Sequence, residues 1–486
     1  MSKFSQLLSQ YIEEKNVRIY SLAEYCGIDR SFMYKIVHGK RTPGSASTVN
    51  KIADYLRLTP GECRELTDAY FITVQGSDNF YRRKHVLAFL NDFKNIVNRD
   101  TLNLSFSFQT SYTQTLIPLD GETNVNQAIF NLVAWQAQKE SGEIHMLIQP
   151  KFPFLTQLLL SIARNCHQLT IRQLIYLNNT DSVRENRKSY NLHCLQNILP
   201  LCTCKYQYQP YYYYYYYYYY DTVPSSLDSF RLFPYLLLTD NQAIILSETL
   251  QTGFFTSQPD MISLIKKIFN RYMEQARPLL LKIEDVHTQL SFIQQCVTSS
   301  SMAYNFQMTP CMTNLLSSEF LKKYLIPTLP SRELFIAQLE NHIGHVNSLH
   351  EEQEEVLIFS EDGIVEFLNT GKIEEYPSYI YTPPSLEDRI DLIHRFIKEC
   401  EKDRRHMRML KHTIGSVRNG ANIYCNSCDG YLLFTPAESD TPIYLNIQES
   451  GLLSAFLDFF ENMDQSLFYP EEEIPIRLKQ ITERYL

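Results

Sequence analysis

The sequence predicts a multidomain chain: an all-α head of five helices, followed by a mixed α/β body whose two halves echo each other. Three observations carry that reading. The first 70 residues set successive groups of apolar side chains at helical spacing. From about residue 100 onward, apolar runs of strand length alternate with helical patterns. The chain has 486 residues, 44% hydrophobic and 20% charged, which is globular and too long for one ordinary core.

Taken in order, Phe4, Leu7, Leu8, Tyr11 and Ile12 line one face of a first helix. Leu22 and Ala23 begin the apolar face of a second. Gly27 supplies the backbone freedom of a sharp turn, and Ile28 plugs it. Asp29 is placed to cap a third helix, in which Met33 and Ile36 point inward together. Gly39 ends that helix, and Lys40 and Arg41 follow. A fourth helix turns Val49, Ile52, Ala53 and Leu56 inward. Thr59-Pro60-Gly61-Glu62 reads as a capping box that opens a fifth helix to about Phe71. Two helices around a tight turn, the second with a polar and basic free face, describe a DNA-reading helix-turn-helix.

On these residues the head resembles the XRE, or lambda-repressor-like, helix-turn-helix family. The resemblance rests on L-A-x-x-x-G-I at the turn, H-G-K-R at His38–Arg41 and K-I-A-D-Y-L-R-L-T-P-G-E at Lys51–Glu62. It covers residues 4–70. The stretch from Pro43 to Ala53 is one residue longer than the usual pattern, which bears on the phosphate contacts. The resemblance implies base contacts from Arg30, Ser31 and Lys35. Helix geometry adds Tyr34 to that face, and Arg30 has the fork for guanine O6 and N7. Lys40, Arg41, Ser45 and Ser47 are the expected phosphate contacts.

Charge agrees with a small basic reader on an acidic body. The net charge is −9. Residues 1–70 carry 10 basic and 8 acidic residues, the remainder 35 and 46, so the head is +2 and the rest −11. Gly27–Arg41 alone is +3. Eleven scattered cysteines, no apolar leader at the N-terminus and no apolar run near the length of a membrane span point to a cytoplasmic chain.

The expected domains are 1–72 for DNA binding, 73–99 as a linker helix with a hinge at Val74–Asn79, 100–300 as a sensor subdomain and 301–486 as a second subdomain. The basic start of the linker helix, Tyr81–His85, reads as a solvated face rather than a second DNA contact. A break is expected near 298–312. Asp240-Asn241 and Asp429-Gly430 are hairpin signals. Paired subdomains with a cleft between them occur in regulators whose sensor resembles a phospholipase D fold. Ten consecutive tyrosines, Tyr211–Tyr220, with Tyr206 and Tyr208 before them, specify no amphipathic face and read as a low-complexity loop over 206–220.

Catalytic and metal patterns find little support. Cys425 and Cys428 have knuckle spacing without a second pair nearby, and Cys202 and Cys204 are spaced wrongly. The one H-x-K, His38-Gly39-Lys40, lies in the reading unit without the aspartate that phospholipase chemistry needs. His406, Lys411 and His412 read as a solvated basic face, and Glu351–Glu355 as a helix end or loop. No catalytic residue, metal or cofactor is therefore assigned. The expected function is a sequence-specific, bacterial DNA-binding transcriptional regulator. Its expected partners are double-stranded DNA, a second copy of the chain and a small-molecule or peptide effector, with no membrane. The competing readings are an enzyme with a DNA-targeting head and an interaction scaffold of a phage or defence system.

Overall fold

The computed structural model describes residues 1–99, 114–162, 168–178, 183–184, 188–215, 233–283, 285–296, 302–349, 354–401, 405–437 and 439–486. Two compact units emerge: residues 1–85 with 182–189, and the remainder. The expected helical head and mixed α/β body are both present.

The head holds α1 (Lys3–Glu14), α2 (Ile19–Cys26), α3 (Arg30–Val37), α4 (Ala46–Tyr55) and α5 (Pro60–Gln75). Their inward residues, from Phe4 through Leu22, Met33, Ile36, Val49 and Ile52 to Leu66, form one core. The caps foreseen from the sequence are made. Thr59 accepts from Glu62 N, and Glu62 returns a bond to Thr59 N. The expected hinge at Val74–Asn79 is narrower than the polar composition suggests. Helix α5 continues to Gln75, and Gly76 alone, at φ 84°, separates it from α6 (Ser77–Val97). The boundary between the units falls within α6, between His85 and Val86. Within the Tyr81–His85 stretch, Lys84 pairs with Asp68 at 2.6 Å, and His85 is buried, accepting from Ser189 N at 3.0 Å.

The body contains two mixed sheets. The first is drawn from β1 (Leu116–Asp120), β2 (Gly142–Leu147) and β3 (Leu169–Asn178). After the short pair β4 (Val183–Arg184) and β5 (Lys188–Ser189), which belongs to the head unit, it continues with β6 (Gln207–Tyr215), β7 (Tyr235–Leu238), β8 (Ala243–Leu246), β9 (Thr252–Thr256) and β10 (Arg277–Pro278). The second takes β11 (Leu280–Ile283), β12 (Ala303–Phe306), β13 (Glu355–Ser360), β14 (Arg405–Leu410), β15 (Asn422–Cys425), β16 (Gly430–Phe434) and β17 (Ile443–Ile447).

The echo between the halves is topological. The first sheet runs β1-β9-β8-β7-β2-β3-β6, with β10 added at its edge; the second runs β11-β17-β16-β15-β12-β13-β14. In both, three consecutive strands pair in parallel and three more return as an antiparallel meander beside the first of them. The strand ahead of each set, β1 or β11, pairs antiparallel at the meander's edge. The second sheet thus starts at Leu280, upstream of the expected boundary at 300/301. Residues 302–306, expected to lie in a break, carry β12.

Helices cover both faces of the first sheet. On one face, α7 (Glu122–Ala137), α8 (Pro153–Ile162) and α9 (Tyr190–Cys202) join a core that reaches into the second half. On the other, α10 (Pro259–Gln275) sets Ile262, Ile265 and Phe269 against Leu174 and Leu238. The tyrosine run is corrected by this arrangement. Gln207–Tyr215 is a strand parallel to β3, not a loop; Tyr216–Tyr220 lie outside the described residues. A strand packed on both faces needs no polar alternation, and aromatic residues favour strands. Tyr208 and Tyr212 enter the shared core, while Tyr211 and Tyr213 pack toward α10. The hydroxyl of Tyr208 donates to Gln173 Oε1 at 2.7 Å, and that of Tyr206 to the Leu159 carbonyl at 3.3 Å.

In the second half, α11 (Val286–Cys296), α12 (Ser318–Tyr324), α13 (Arg332–Leu349), α14 (Glu361–Thr370) and α15 (Leu386–Cys400) are followed after β17 by α16 (Ser450–Glu461) and α17 (Ile474–Glu483). The halves are joined through Glu449, the fully buried cap of α16. Its carboxylate accepts from Gly451 N at 2.9 Å, Leu452 N at 2.8 Å, Tyr214 Oη at 2.9 Å and Asn191 Nδ2 at 3.3 Å. No helix among the described residues is long and apolar enough to cross a membrane.

Candidate nucleic-acid interface

The turn between α2 and α3 sets the site. Gly27 adopts φ 69°, in the left-handed region that favours glycine, and Ile28 N closes the helix end on the Ala23 carbonyl at 3.0 Å. The carboxylate of Asp29 then accepts from Ser31 N at 2.8 Å and Phe32 N at 3.3 Å. The Ser31 hydroxyl also donates to it at 2.5 Å. These bonds hold the Asp29 carboxyl below the usual carboxylate range, the hydroxyl contributing most. Helix α3 is seated by Met33, Ile36 and Val37.

Arg30, Ser31, Tyr34 and Lys35 are all exposed. At 100° per residue they span a free face roughly 140° wide. The four are not equivalent. The guanidinium of Arg30 stands 5.9 Å from the Tyr20 ring centroid, a cation–π contact that limits its swing. The Ser31 proton is committed to Asp29, which leaves its hydroxyl oxygen as an acceptor toward a ligand. Tyr34 is 51% exposed, and its ring stacks on His38 with centroids 3.8 Å apart. The Nδ1–H of His38 donates to the Tyr34 carbonyl at 2.8 Å. Lys35 extends freely from the same side.

The loop after α3 is tightly held. Lys40 N and Arg41 N both bond the Lys35 carbonyl, at 2.8 and 3.2 Å. A Cβ on Gly39, at φ 70°, would lie 2.7 Å from Ser5 Oγ. The backbone that carries Lys40 and Arg41 is therefore fixed while their side chains stay exposed. Among the described residues no carboxylate forms an ion pair with Arg30, Lys35, Lys40 or Arg41. Ser45 caps α4, accepting from Thr48 N at 3.3 Å. The N–H groups of Ala46 and Ser47 point out of that helix start without an intrahelical acceptor, an arrangement suited to a phosphate.

Sequence reasoning missed Tyr20 and His38 as parts of this face. The i, i+4 spacing of Tyr34 and His38 was a legible signal. The approach of Tyr20 to Arg30 depends on the angle between two helices and had none.

The other candidates disperse. Cys425 is buried and Cys428 exposed on the β15–β16 hairpin, with no group of metal-ligating side chains among the described residues. Burial pushes the thiols of Cys202 and Cys204 up to about 12 and about 11. His406, Lys411 and His412 are exposed, and Lys411 Nζ donates to the Ser466 carbonyl at 3.0 Å. Of the Glu351–Glu355 run, residues 351–353 lie outside the described residues, and Glu355 is a buried residue of β13.

Comparison with known proteins bears on the head. Residues 8–68 match the profile of the Cro/C1-type HTH DNA-binding domain. No curated protein sequence matches the chain. Among solved structures, one similarity is to TrmBL2, described as an archaeal chromatin protein with a novel mode of DNA binding. It has 12% identity over 35% of this chain and 55% of that one, with a TM-score of 0.22, so the match spans about half the length of that protein. Another is to phosphatidylserine synthase of Haemophilus influenzae Rd KW20, with 9% identity over 78% of this chain and 94% of that one, again with a TM-score of 0.22. Overlaps this low carry no argument about the body.

Proposed function

We propose, for a chain whose residues 8–68 match a Cro/C1-type DNA-binding domain, that it is a cytoplasmic, sequence-specific transcriptional regulator acting as a homodimer, with the α/β body sensing an effector. The observation that carries this is the exposed face of α3 and its following loop, where four cations form no ion pair with a carboxylate among the described residues. Arg30, Tyr34 and Lys35 serve as base readers, with Ser31 as an acceptor. Lys40, Arg41 and the start of α4 at Ser45 and Ser47 serve as phosphate anchors. The reading assigns no catalysis to the body.

The test is an electrophoretic shift on duplex DNA at graded salt. Each phosphate contact contributes about 0.9 to the slope of log affinity against log salt. Changing Lys40 and Arg41 together to alanine should flatten that slope by roughly 1.8 and weaken binding on all sequences alike. Salt-independent binding, or an unchanged slope in the double variant, would remove the phosphate assignment.

Dimerisation is supported by the short reach of one recognition helix, which reads only a few base pairs. An exposed apolar stripe on α10 also supports it: Leu264, Ile268 and Tyr272, spaced four apart, are 54%, 46% and 45% exposed. Light scattering should give twice the chain mass. Leu264→Asp with Ile268→Asp should give the single mass with the fold intact. A dimer that survives both changes places the contact elsewhere.

A further inference from the structure

The second half of the body encloses a polar cavity of about 50 Å³ between its sheet and helices. One water needs about 10–15 Å³ by the same measure, so the space suits a group of roughly three to five heavy atoms. Five side chains, each at least nine-tenths buried, line it with an atom that has no hydrogen-bond partner in the protein: Asn305 Oδ1, Gln307 Oε1, Thr313 Oγ1, His342 Nδ1 and Glu375 Oε1. They converge from β12, the residue just beyond it, the segment before α12, α13 and the loop after α14. Buried polar atoms are nearly always bonded, so five orphans around one cavity point to an occupant with polar groups of its own.

The character of those atoms defines the occupant. The amide nitrogen of Asn305 is spent on Glu355 Oε1 at 3.1 Å, so its oxygen is the atom left over. Glu375 has no basic side chain within ion-pair distance among the described residues; its neighbour Glu374 holds Lys372 instead, at 3.3 Å. Burial pushes the His342 imidazole down to about 4, leaving it neutral, and its Nδ1 is an acceptor when the proton sits on Nε2. The rings of Tyr431 and Tyr444 form part of the wall, 5.5 Å apart. The thiol of Cys311, also at the cavity, is pushed well up by burial and by Glu375, which argues against a nucleophilic role there.

We propose that this cavity binds a small organic cation rich in N–H donors, a guanidinium or primary ammonium head. The carboxylate and the neutral acceptors would satisfy its donors, and the tyrosine rings would face its charge. A guanidinium has four heavy atoms and matches the space. A bare metal ion would leave most of the volume empty and gain nothing from the aromatic wall. The inference stands on the body alone and does not depend on DNA binding.

Calorimetry on the full chain tests it, with methylguanidinium and methylammonium as probes. Acetamide, acetate, tetramethylammonium and calcium serve as comparisons. Saturable binding of the two N–H cations alone is expected. Glu375→Gln should weaken it about tenfold or more, the effect of losing a charged hydrogen-bond partner. The unliganded Glu375→Gln protein should melt no lower than the parent, because burial raises the Glu375 carboxyl and already disfavours the charge that the amide removes. Should that variant fail to fold, Gln307→Met should show a several-fold loss. No saturable binding, equal binding of any comparison ligand, or unchanged affinity in these variants would overturn the proposal.

Discussion

Replacing Arg30 and Lys35 together by alanine should lower affinity for a selected operator by about 10²- to 10³-fold, since each base contact contributes roughly 1–3 kcal/mol. Both side chains leave α3 into solvent and neither supports the core, so stability should move by less than about 0.5 kcal/mol. The operator must first be selected from a random duplex library, and binding compared at one fixed salt. Arg30→Ala alone should relax the preference at one base pair, because its contact with Tyr20 orients it toward a single site. If the double variant holds the operator as tightly as the parent, α3 is not the reading helix.

The second large effect lies in the body. Glu449→Ala should destabilise it by about 3–5 kcal/mol. The substitution removes the shared acceptor of four donors that now converge on one carboxylate: two backbone N–H groups at the start of α16, the amide of Asn191 and the hydroxyl of Tyr214. Asn191 also bonds both Asn178 N and the Asn178 carbonyl at 3.0 Å, so the loss spreads to the end of β3. The chain has one tryptophan, Trp135 in α7, and its fluorescence can follow urea unfolding of the body. Tyr214→Phe removes one donor of the four and should cost only about 1 kcal/mol. An unchanged urea midpoint for Glu449→Ala would show that the junction does not hold the halves together.

The head was legible because its signals are local. Asp29 and Thr59 cap helices within three residues of themselves, and Gly27 bends the chain where it stands. Strands such as Asn422–Cys425 and Ile443–Ile447, and the helix Leu386–Cys400, were readable to the residue because composition changes sharply at their ends. Other parts were hidden for physical reasons. The strand β6 carries no alternation, since both its faces are covered. Four-residue β12 is too short to stand out from the polar segment around it. The role of Glu449 at the junction gives no warning in sequence, because two of its four donors, Asn191 and Tyr214, lie more than 200 residues away. The cavity in the second half is the same case: Asn305, His342 and Glu375 share no motif and meet only through the sheet.

The tyrosine strand has an evolutionary corollary. Its alignment with β3 is anchored upstream, by Gln207–Pro210 lying beside Thr170–Gln173. Downstream of that anchor every position is filled by the same residue. A gene that gained or lost one tyrosine codon there, as repetitive tracts readily do, would deliver the identical ring to each place in the ladder, Tyr214 opposite Glu449 included. Drift in repeat length is thus silent to the sheet.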